Sequence, residues 1–405
     1  MFYHLKQLRQ QIRVAAGIFN HRVYAGPWNV QIDLTNQCNN DCIACWCNSP
    51  LLGDKSMPPE IQKQSLPYEK VILLIKELSR MGTREIYFTG GGEPFMHPRI
   101  LDIMRFIKKQ GMHLDMSTNF TLVDRAVAEQ LVDIGIDHMT ISLWAATADT
   151  YARQHPNKDG QTFERMTRII DGINDLKRQR RTTRPQLGMY NVINSHNYHE
   201  VDQMLEYAFA HHMNDIHFTP VDIIPDRTES LALTMEQREA LMRSVRGFPA
   251  KARILEEKYR HHAAMIHLDN FIQRIENRGA EEGNYDTALL STLSACYAGW
   301  AFARVLATGD VNSCLKSFKI PIGNIYQTSF KKIWIGEKQK QFRQHTRHYN
   351  PFDPYFLNMG NDRSTDNQGC YKCCDNLGLN MSIQEKIAQL SPLGKKLVSL
   401  VGRFL

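Results

Sequence analysis

The chain has 405 residues, 42% hydrophobic and 22% charged, with a net charge of +7. That length suits two domains or one large domain with an appendage, and the composition permits a sizeable packed core. The charge bias suits an anionic substrate or a membrane surface but is too diffuse to argue for nucleic acid, and no apolar run approaches the ~18–20 residues of a membrane-crossing helix.

Residues 1–27 read as a basic amphipathic helix. Phe2, Leu5, Leu8, Ile12 and Phe19 recur at helical spacing among Lys6, Arg9 and Arg13. The segment lacks the continuous apolar core of a signal peptide. A cytoplasmic, reducing compartment is expected, where thiols stay free. From 28 to 220 a strand-like run alternates with a helical one. The strand candidates are WNVQIDL, REIYFTG, HLDMST, HMTISLW, QLGMYNVI and DIHFTPV. Each is dense in Val, Ile, Tyr, Phe or Thr. Helical stripes lie between them: Val71, Leu74, Ile75 and Leu78 after a cap at Ser65 and Pro67, then Val127, Leu131 and Ile134, then Ile169, Ile170, Ile173 and Leu176. Alternation of this kind implies parallel βαβ units, and six of them suit an open, partial TIM-like (β/α)6 barrel with its site at the strands' C-terminal ends.

Residues 221–295 read as a charged helical connector. From 296 to 375 the texture is irregular and holds five of the nine cysteines. Residues 376–405 end in a second basic amphipathic pattern, with Leu390, Leu393, Leu397, Leu400, Val401 and Phe404 beside Lys395, Lys396 and Arg403. Two readings stand for the end segments: peripheral contact with an anionic membrane, or docking of each apolar face on the protein.

The first cysteine cluster is CNNDCIACWCN, with Cys38, Cys42 and Cys45 spaced x3 and x2 just after the first strand. Nine cysteines is an odd number for a disulfide framework, and clustered thiols in a reducing compartment read as metal ligands. Soft thiolates favour zinc or iron–sulfur clusters. Structural zinc wants four ligands, whereas three suit a [4Fe–4S] cluster with one iron left open. Cys47 duplicates no ligand position and reads as a buried thiol. A second set follows: Cys296, Cys314, Cys370 and Cys373, with Cys374 able to replace the last. Structural zinc is the alternative for this set.

The Cys-x3-Cys-x2-Cys motif after a first strand, joined by TGGGEP (Thr89–Pro94) after the second, resembles the radical S-adenosylmethionine (SAM) superfamily. The stretch from Cys296 to about Arg343 is similar to the SPASM/twitch extensions of that superfamily, in the form with one auxiliary cluster. The resemblance implies a partial barrel followed by a small irregular, cysteine-rich domain. It implies a cluster on Cys38, Cys42 and Cys45 whose open iron binds SAM, and an auxiliary iron–sulfur cluster on the second set. It also implies reductive cleavage of SAM to a 5′-deoxyadenosyl radical, fed by a donor such as flavodoxin or ferredoxin.

By resemblance, Gly90, Gly91, Gly92 and Glu93 hold the methionine amine of SAM. Ser117 and Asn119 (STN) and Ser142 (SLWAAT) reach its ribose and carboxylate, unless they cap helices. Either Arg153 or His155 fills a further SAM position, and Asn191 or Asn194 the ribose side. Trp46 covers the adenine or packs. His97, Asp115, His196, His217 and Asp222 are candidates for proton handling.

The expected reaction is oxidation or epimerisation of a small-molecule, sugar or lipid-linked substrate. The residues ahead of the first strand are too few for a leader-peptide domain. Maturation of a ribosomally made peptide is the alternative, and a non-catalytic iron–sulfur or zinc scaffold is the reading from another class. No nucleic-acid partner is expected.

Overall fold

A single sheet runs through the protein, and its two edges are strands that the sequence pattern does not mark. The computed structural model describes residues 2–350, 352–357, 359, 369–370, 374–402 and 404, with backbone alone at 2–4 and 6. The strands are β1 (Asn29–Ile32), β2 (Glu85–Phe88), β3 (His113–Thr118), β4 (His138–Ser142), β5 (Gln186–Ile193), β6 (Asp215–Pro220), β7 (Ala264–Ile266), β8 (Phe302–Val305), β9 (Asp310–Asn312) and β10 (Gly323–Asn324). They lie in the order β10-β9-β8-β1-β2-β3-β4-β5-β6-β7. The eight from β8 to β7 are parallel, and β9 and β10 add antiparallel pairs at one edge. The sheet does not close, as the open barrel required.

The longer helices are α1 (Phe2–Asn20), α2 (Tyr68–Arg80), α3 (Ile100–Lys109), α4 (Arg125–Ile134), α5 (Ala148–Gln154), α6 (Gly160–Gln179), α7 (Val201–Ala210), α8 (Met235–Arg246), α9 (Phe248–Tyr259), α10 (Leu268–Glu276), α11 (Glu337–Thr346), α12 (Leu377–Gln389) and α13 (Pro392–Val401). The expected stripe Val71, Leu74, Ile75 and Leu78 is the buried face of α2. Strand residues of one parity, such as Ile86, Phe88, Leu114, Met116, Met139 and Ile141, pack with these helical stripes into one core. Each such side chain contributes about 1.5–3 kcal/mol. The other parity is polar: Tyr87, Asp115, Ser117, Thr140, Tyr190, His217 and Thr219 line the opposite face.

Two expectations need correction. Ser65 does not cap α2, whose N-cap is Pro67 without a side-chain bond; the Ser65 hydroxyl instead donates to Thr35 Oγ1 at 2.5 Å. The connector contains a strand, β7, which extends the sheet beyond β6. The cysteine-rich region that follows the barrel continues its sheet, since β8 pairs in parallel with β1.

Candidate functional site

β1 ends at Ile32, and the chain runs straight into the first cysteine loop. Its entry is clamped: Asn36 N donates to Gln64 O at 2.9 Å and Gln37 N to Thr35 Oγ1 at 3.1 Å. Its far side is pinned to α5, with Ile43 N donating to Gln154 O at 3.0 Å and Asn157 N to Asp41 Oδ1 at 2.9 Å. A turn, Cys45 N to Cys42 O at 3.1 Å, brings the second and third cysteines together. Cys38 Sγ accepts from Asn119 Nδ2 at 3.8 Å, and Cys45 Sγ from Asn48 N at 3.3 Å. Cys47 is buried, as expected, 3.6 Å from Cys45 Sγ.

Burial pushes the Cys38 thiol up to about 11 and also drives Cys42 well up, while a hydrogen bond from Cys47 draws Cys45 down to about 7. Buried thiols of this kind give up their protons readily only to a cation. Three free thiols on one constrained loop fit a three-thiolate cluster. Among the described residues no three His, Cys, Asp or Glu side chains come together as ligands of a single metal ion.

After β2 the three glycines have a physical reason that the sequence did not reveal. A Cβ on Gly90 would stand 2.1 Å from the Asp33 carboxylate, on Gly91 2.1 Å from Asn36 Oδ1, and on Gly92 2.2 Å from Gln37 O. They admit the cysteine loop itself. Gly90 also has φ +128°, which side chains rarely adopt. Glu93 N donates to Gln37 O at 2.8 Å, locking the two loops together. The Glu93 carboxylate accepts from Thr118 Oγ1 and Asn119 N, both at 2.6 Å, and from Phe95 N at 3.1 Å. Burial raises it to about 7. It therefore sets the end of β3, and with it Asn119 against Cys38.

A prediction follows. Gly92→Ala, facing backbone, will lose most of the iron held by the first loop, measured as iron per chain after anaerobic loading. Gly172→Ala, in mid-α6 with nothing within 4 Å of the new Cβ, will load normally and gain about 0.5–1 kcal/mol of stability.

The remaining expected SAM positions divide. Ser117 and Ser142 stand at the C-terminal ends of β3 and β4, and Asn119, just past β3, reaches the loop at Cys38 and Asn39. Ser117 shares a 2.5 Å hydrogen bond with the Tyr87 hydroxyl. Thr147 of SLWAAT caps α5. Arg153 is exposed on α5 and donates to Thr150 Oγ1 at 2.6 Å. His155 is the buried one, stacked on Tyr151 with centroids 4.3 Å apart and depressed by burial to about 4. Asn194 is tied to Gln154 by a pair of amide bonds of 3.1 and 3.0 Å. Asn191 is fully buried, and its amide atoms have no partner among the described residues.

Of the proton candidates, His97 is consumed structurally: one ring nitrogen lies 2.9 Å from Leu66 O, and the other accepts from Arg99 N. His196 is exposed. His217 and His138 share the Asp215 carboxylate at 3.0 and 2.7 Å, and Gly188 makes room for that trio. Asp115 pairs with His113 at 2.8 Å, and Asp222 with the buried Lys316 at 3.2 Å.

The sequence did not single out Arg304. It sits on β8, 5% exposed, and its guanidinium meets the equally buried Asp33 carboxylate at 2.7 and 3.0 Å. It also donates to Leu315 O at 3.0 Å and lies 5.4 Å from the Trp46 ring centroid. Trp46 thus packs under a cation. One side chain touches the residue after Cys45 and the residue after Cys314.

The second cysteine set lines one cavity: Cys296, Cys314, Cys370 and Cys374, among Leu290, Leu293, Phe342, Phe356 and Met359. Cys373 lies outside the described residues. Cys296 Sγ accepts from Asn380 Nδ2 at 3.5 Å, Cys314 Sγ from Lys316 N at 3.4 Å, and Cys370 Sγ lies 3.6 Å from the Tyr349 hydroxyl. The Cys374 N–H is held by Asp286 at 2.7 Å. Burial drives all four thiols up, Cys296 to about 12. Four soft donors in an apolar cavity suit an iron–sulfur cluster.

Comparison with known proteins agrees with this geometry. A model of the Radical SAM superfamily matches residues 32–208, and a model of an iron–sulfur cluster-binding (SPASM) domain matches 296–374. The chain carries a radical SAM domain followed by a SPASM domain. It is an enzyme of the SPASM-containing kind, and its cofactors are SAM and iron–sulfur clusters. A tungsten-containing aldehyde ferredoxin oxidoreductase cofactor-modifying protein of Pyrococcus furiosus is 22% identical over 78% of this chain and 83% of its own length. Among solved structures, Streptococcus suis SuiB bound to S-adenosylmethionine superposes with a TM-score of 0.59 at 12% identity, covering 89% of this chain and 75% of SuiB. The enzyme anSMEcpe with bound AdoMet gives 0.57 at 13% identity, covering 94% and 96%. Likeness at such identity speaks for the fold. Radical SAM chemistry follows from the matched domains, and no helix among the described residues is long and apolar enough to cross a membrane.

Proposed function

We propose that this radical SAM enzyme oxidises or epimerises a small-molecule, sugar or lipid-linked substrate, with an auxiliary cluster assisting. In this reading Cys38, Cys42 and Cys45 hold a [4Fe–4S] cluster, and Cys296, Cys314, Cys370 and Cys374 hold the auxiliary one. With SAM and an electron from a flavodoxin- or ferredoxin-type cytoplasmic donor, the first cluster supplies the 5′-deoxyadenosyl radical. The rest is the work of the chain's own residues. The 90–93 loop, Ser117, Asn119 and Ser142 orient SAM, the polar face of the sheet receives the substrate, and Lys316 with Asp222 stands at its edge beside Cys314.

The observation that carries the proposal is the second four-thiol cavity, tied to the first loop through Arg304. In this reading the second centre, joined to the first loop through Arg304, takes up an electron from the substrate, which favours net oxidation. A scaffold that only stores metal needs no such tie. Peptide maturation remains the second reading, because SuiB has been solved with its precursor peptide SuiA and anSMEcpe with peptides.

The test is anaerobic. The loaded protein with dithionite and SAM will form 5′-deoxyadenosine, and Cys314→Ala will keep cleaving SAM while making no product. No cleavage by fully loaded protein contradicts the reading. The ligand choice has its own prediction: Cys374→Ala will lose the auxiliary share of the iron, and Cys373→Ala will retain it, measured by iron content and Mössbauer spectra.

A further inference from the structure

The helix α13 is built inside out. Towards the protein it turns its small and polar positions: Gly402, just past its end, lies so close to α1 that a Cβ there would stand 2.1 Å from Ala16 Cβ, and Asn20 Nδ2 donates to Ser399 O at 3.0 Å. Towards solvent it turns Leu393, Leu397 and Leu400, followed by Phe404, at 76%, 60%, 54% and 86% exposure. No residue of α13 is buried. Its neighbour α1 is seated on the body through Gln10, Val14 and Ala16, and leaves Leu5 and Leu8 exposed. A helix that merely docks on a protein buries its leucines and exposes its serine and lysines. A row of exposed leucines marks an interaction surface.

The charge says what the surface meets. Residues 1–22 and 386–405 carry eight of the 49 Lys and Arg and none of the 42 Asp and Glu. Without them the chain's net charge would fall from +7 to −1. The whole positive bias of the protein is thus carried by the two end segments that hold the leucine row. A second protein would be matched by apolar area, but protruding leucines on segments that carry Lys and Arg and no Asp or Glu complement a sheet of negative charge over hydrocarbon.

We infer that α1 and α13 form a membrane-docking surface for an anionic lipid bilayer, with Leu393, Leu397, Leu400 and Phe404 entering the acyl boundary and Lys395 and Lys396 meeting the headgroups. The inference is independent of which substrate the enzyme takes. The experiment is flotation of the loaded, full-length protein with vesicles of equimolar phosphatidylglycerol and phosphatidylcholine, or of phosphatidylcholine alone. The protein will float with the anionic vesicles, weakly with the neutral ones, and less as salt is raised. Leu393→Ser/Leu397→Ser/Leu400→Ser will lower partition by at least about tenfold. The changes are at solvent-facing positions, so its melting temperature and 5′-deoxyadenosine formation will match the wild type. Lys395→Ser/Lys396→Ser will weaken binding and flatten its salt dependence. Equal flotation of the triple variant and the wild type, or none by the wild type, overturns the inference. So does light scattering that shows a dimer dissociated by the triple substitution, since the leucines would then meet a second copy.

Discussion

Cys42→Ala will reduce 5′-deoxyadenosine formation to background while leaving the auxiliary iron in place. Cys42 is the middle of the three cysteines proposed to hold the first cluster, and its backbone carbonyl receives Cys45 N at 3.1 Å. Removing its thiol deprives a three-thiolate site of a third of its donors, and no neighbour replaces it. Cys47 is the nearest spare sulfur, but it is buried on the Gly91 side, 3.5 Å from that carbonyl. Iron content should therefore fall by the share of one cluster, and the Mössbauer signal that remains should be that of the four-thiol cavity. Cys47→Ala is the companion experiment: it will keep SAM cleavage, because Cys47 lends Cys45 a hydrogen bond and holds no iron. Full cleavage by Cys42→Ala would show that the loop has been read wrongly.

The second large effect belongs to the buried pair Asp33–Arg304. Arg304→Met leaves the Asp33 carboxylate 1% exposed with Gln31 Nε2, at 2.9 Å, as its remaining side-chain donor. Breaking such a pair from one side costs about 3–5 kcal/mol. The expected result is a matching drop in unfolding free energy by urea titration of the reduced, metal-free protein, with Asp33→Asn/Arg304→Met recovering most of it because no charge is then stranded. The loaded single variant will also show altered electron-paramagnetic-resonance signals from both clusters, since Arg304 touches Trp46 and the Leu315 carbonyl together. Arg304→Met as stable as the wild type, with both signals unchanged, would make the pair incidental.

Much of the core was legible because it obeys simple periods. HLDMST and QLGMYNVI form strands over their full quoted length, as β-dense runs bounded by turns should. Val71, Leu74, Ile75 and Leu78 bury one helical face. The cysteine spacings were legible for a chemical reason, since thiols so placed in a reducing compartment have few uses other than metal. What escaped depends on contacts between distant segments. β7 has three residues and β8 four, too short to show alternation, and both exist because β6 and β1 offer them an edge. Arg304 is one charged residue in AFARVLA; its isolation in an apolar run was the signal available, and its partner lies 271 positions away. The glycines of TGGGEP stood out only by resemblance, and the segment they make room for, Asp33 to Gln37 leading into Cys38, could not be read from their own sequence. At the second set, the sequence favoured Cys373 over Cys374. Adjacent cysteines share every local property; Cys374 lines the cavity with its N–H held by Asp286, and Cys373 lies outside the described residues.

The central claim is that the first loop leaves one iron free for SAM. Electron–nuclear double resonance on the reduced, loaded protein, with SAM isotopically labelled in its methionine amine and carboxylate, tests it directly. The account predicts cluster couplings to both labels, present in Cys374→Ala and absent in Cys42→Ala. A verified cluster at Cys38, Cys42 and Cys45 that shows no coupling to either label, or a zinc ion in its place, would contradict it.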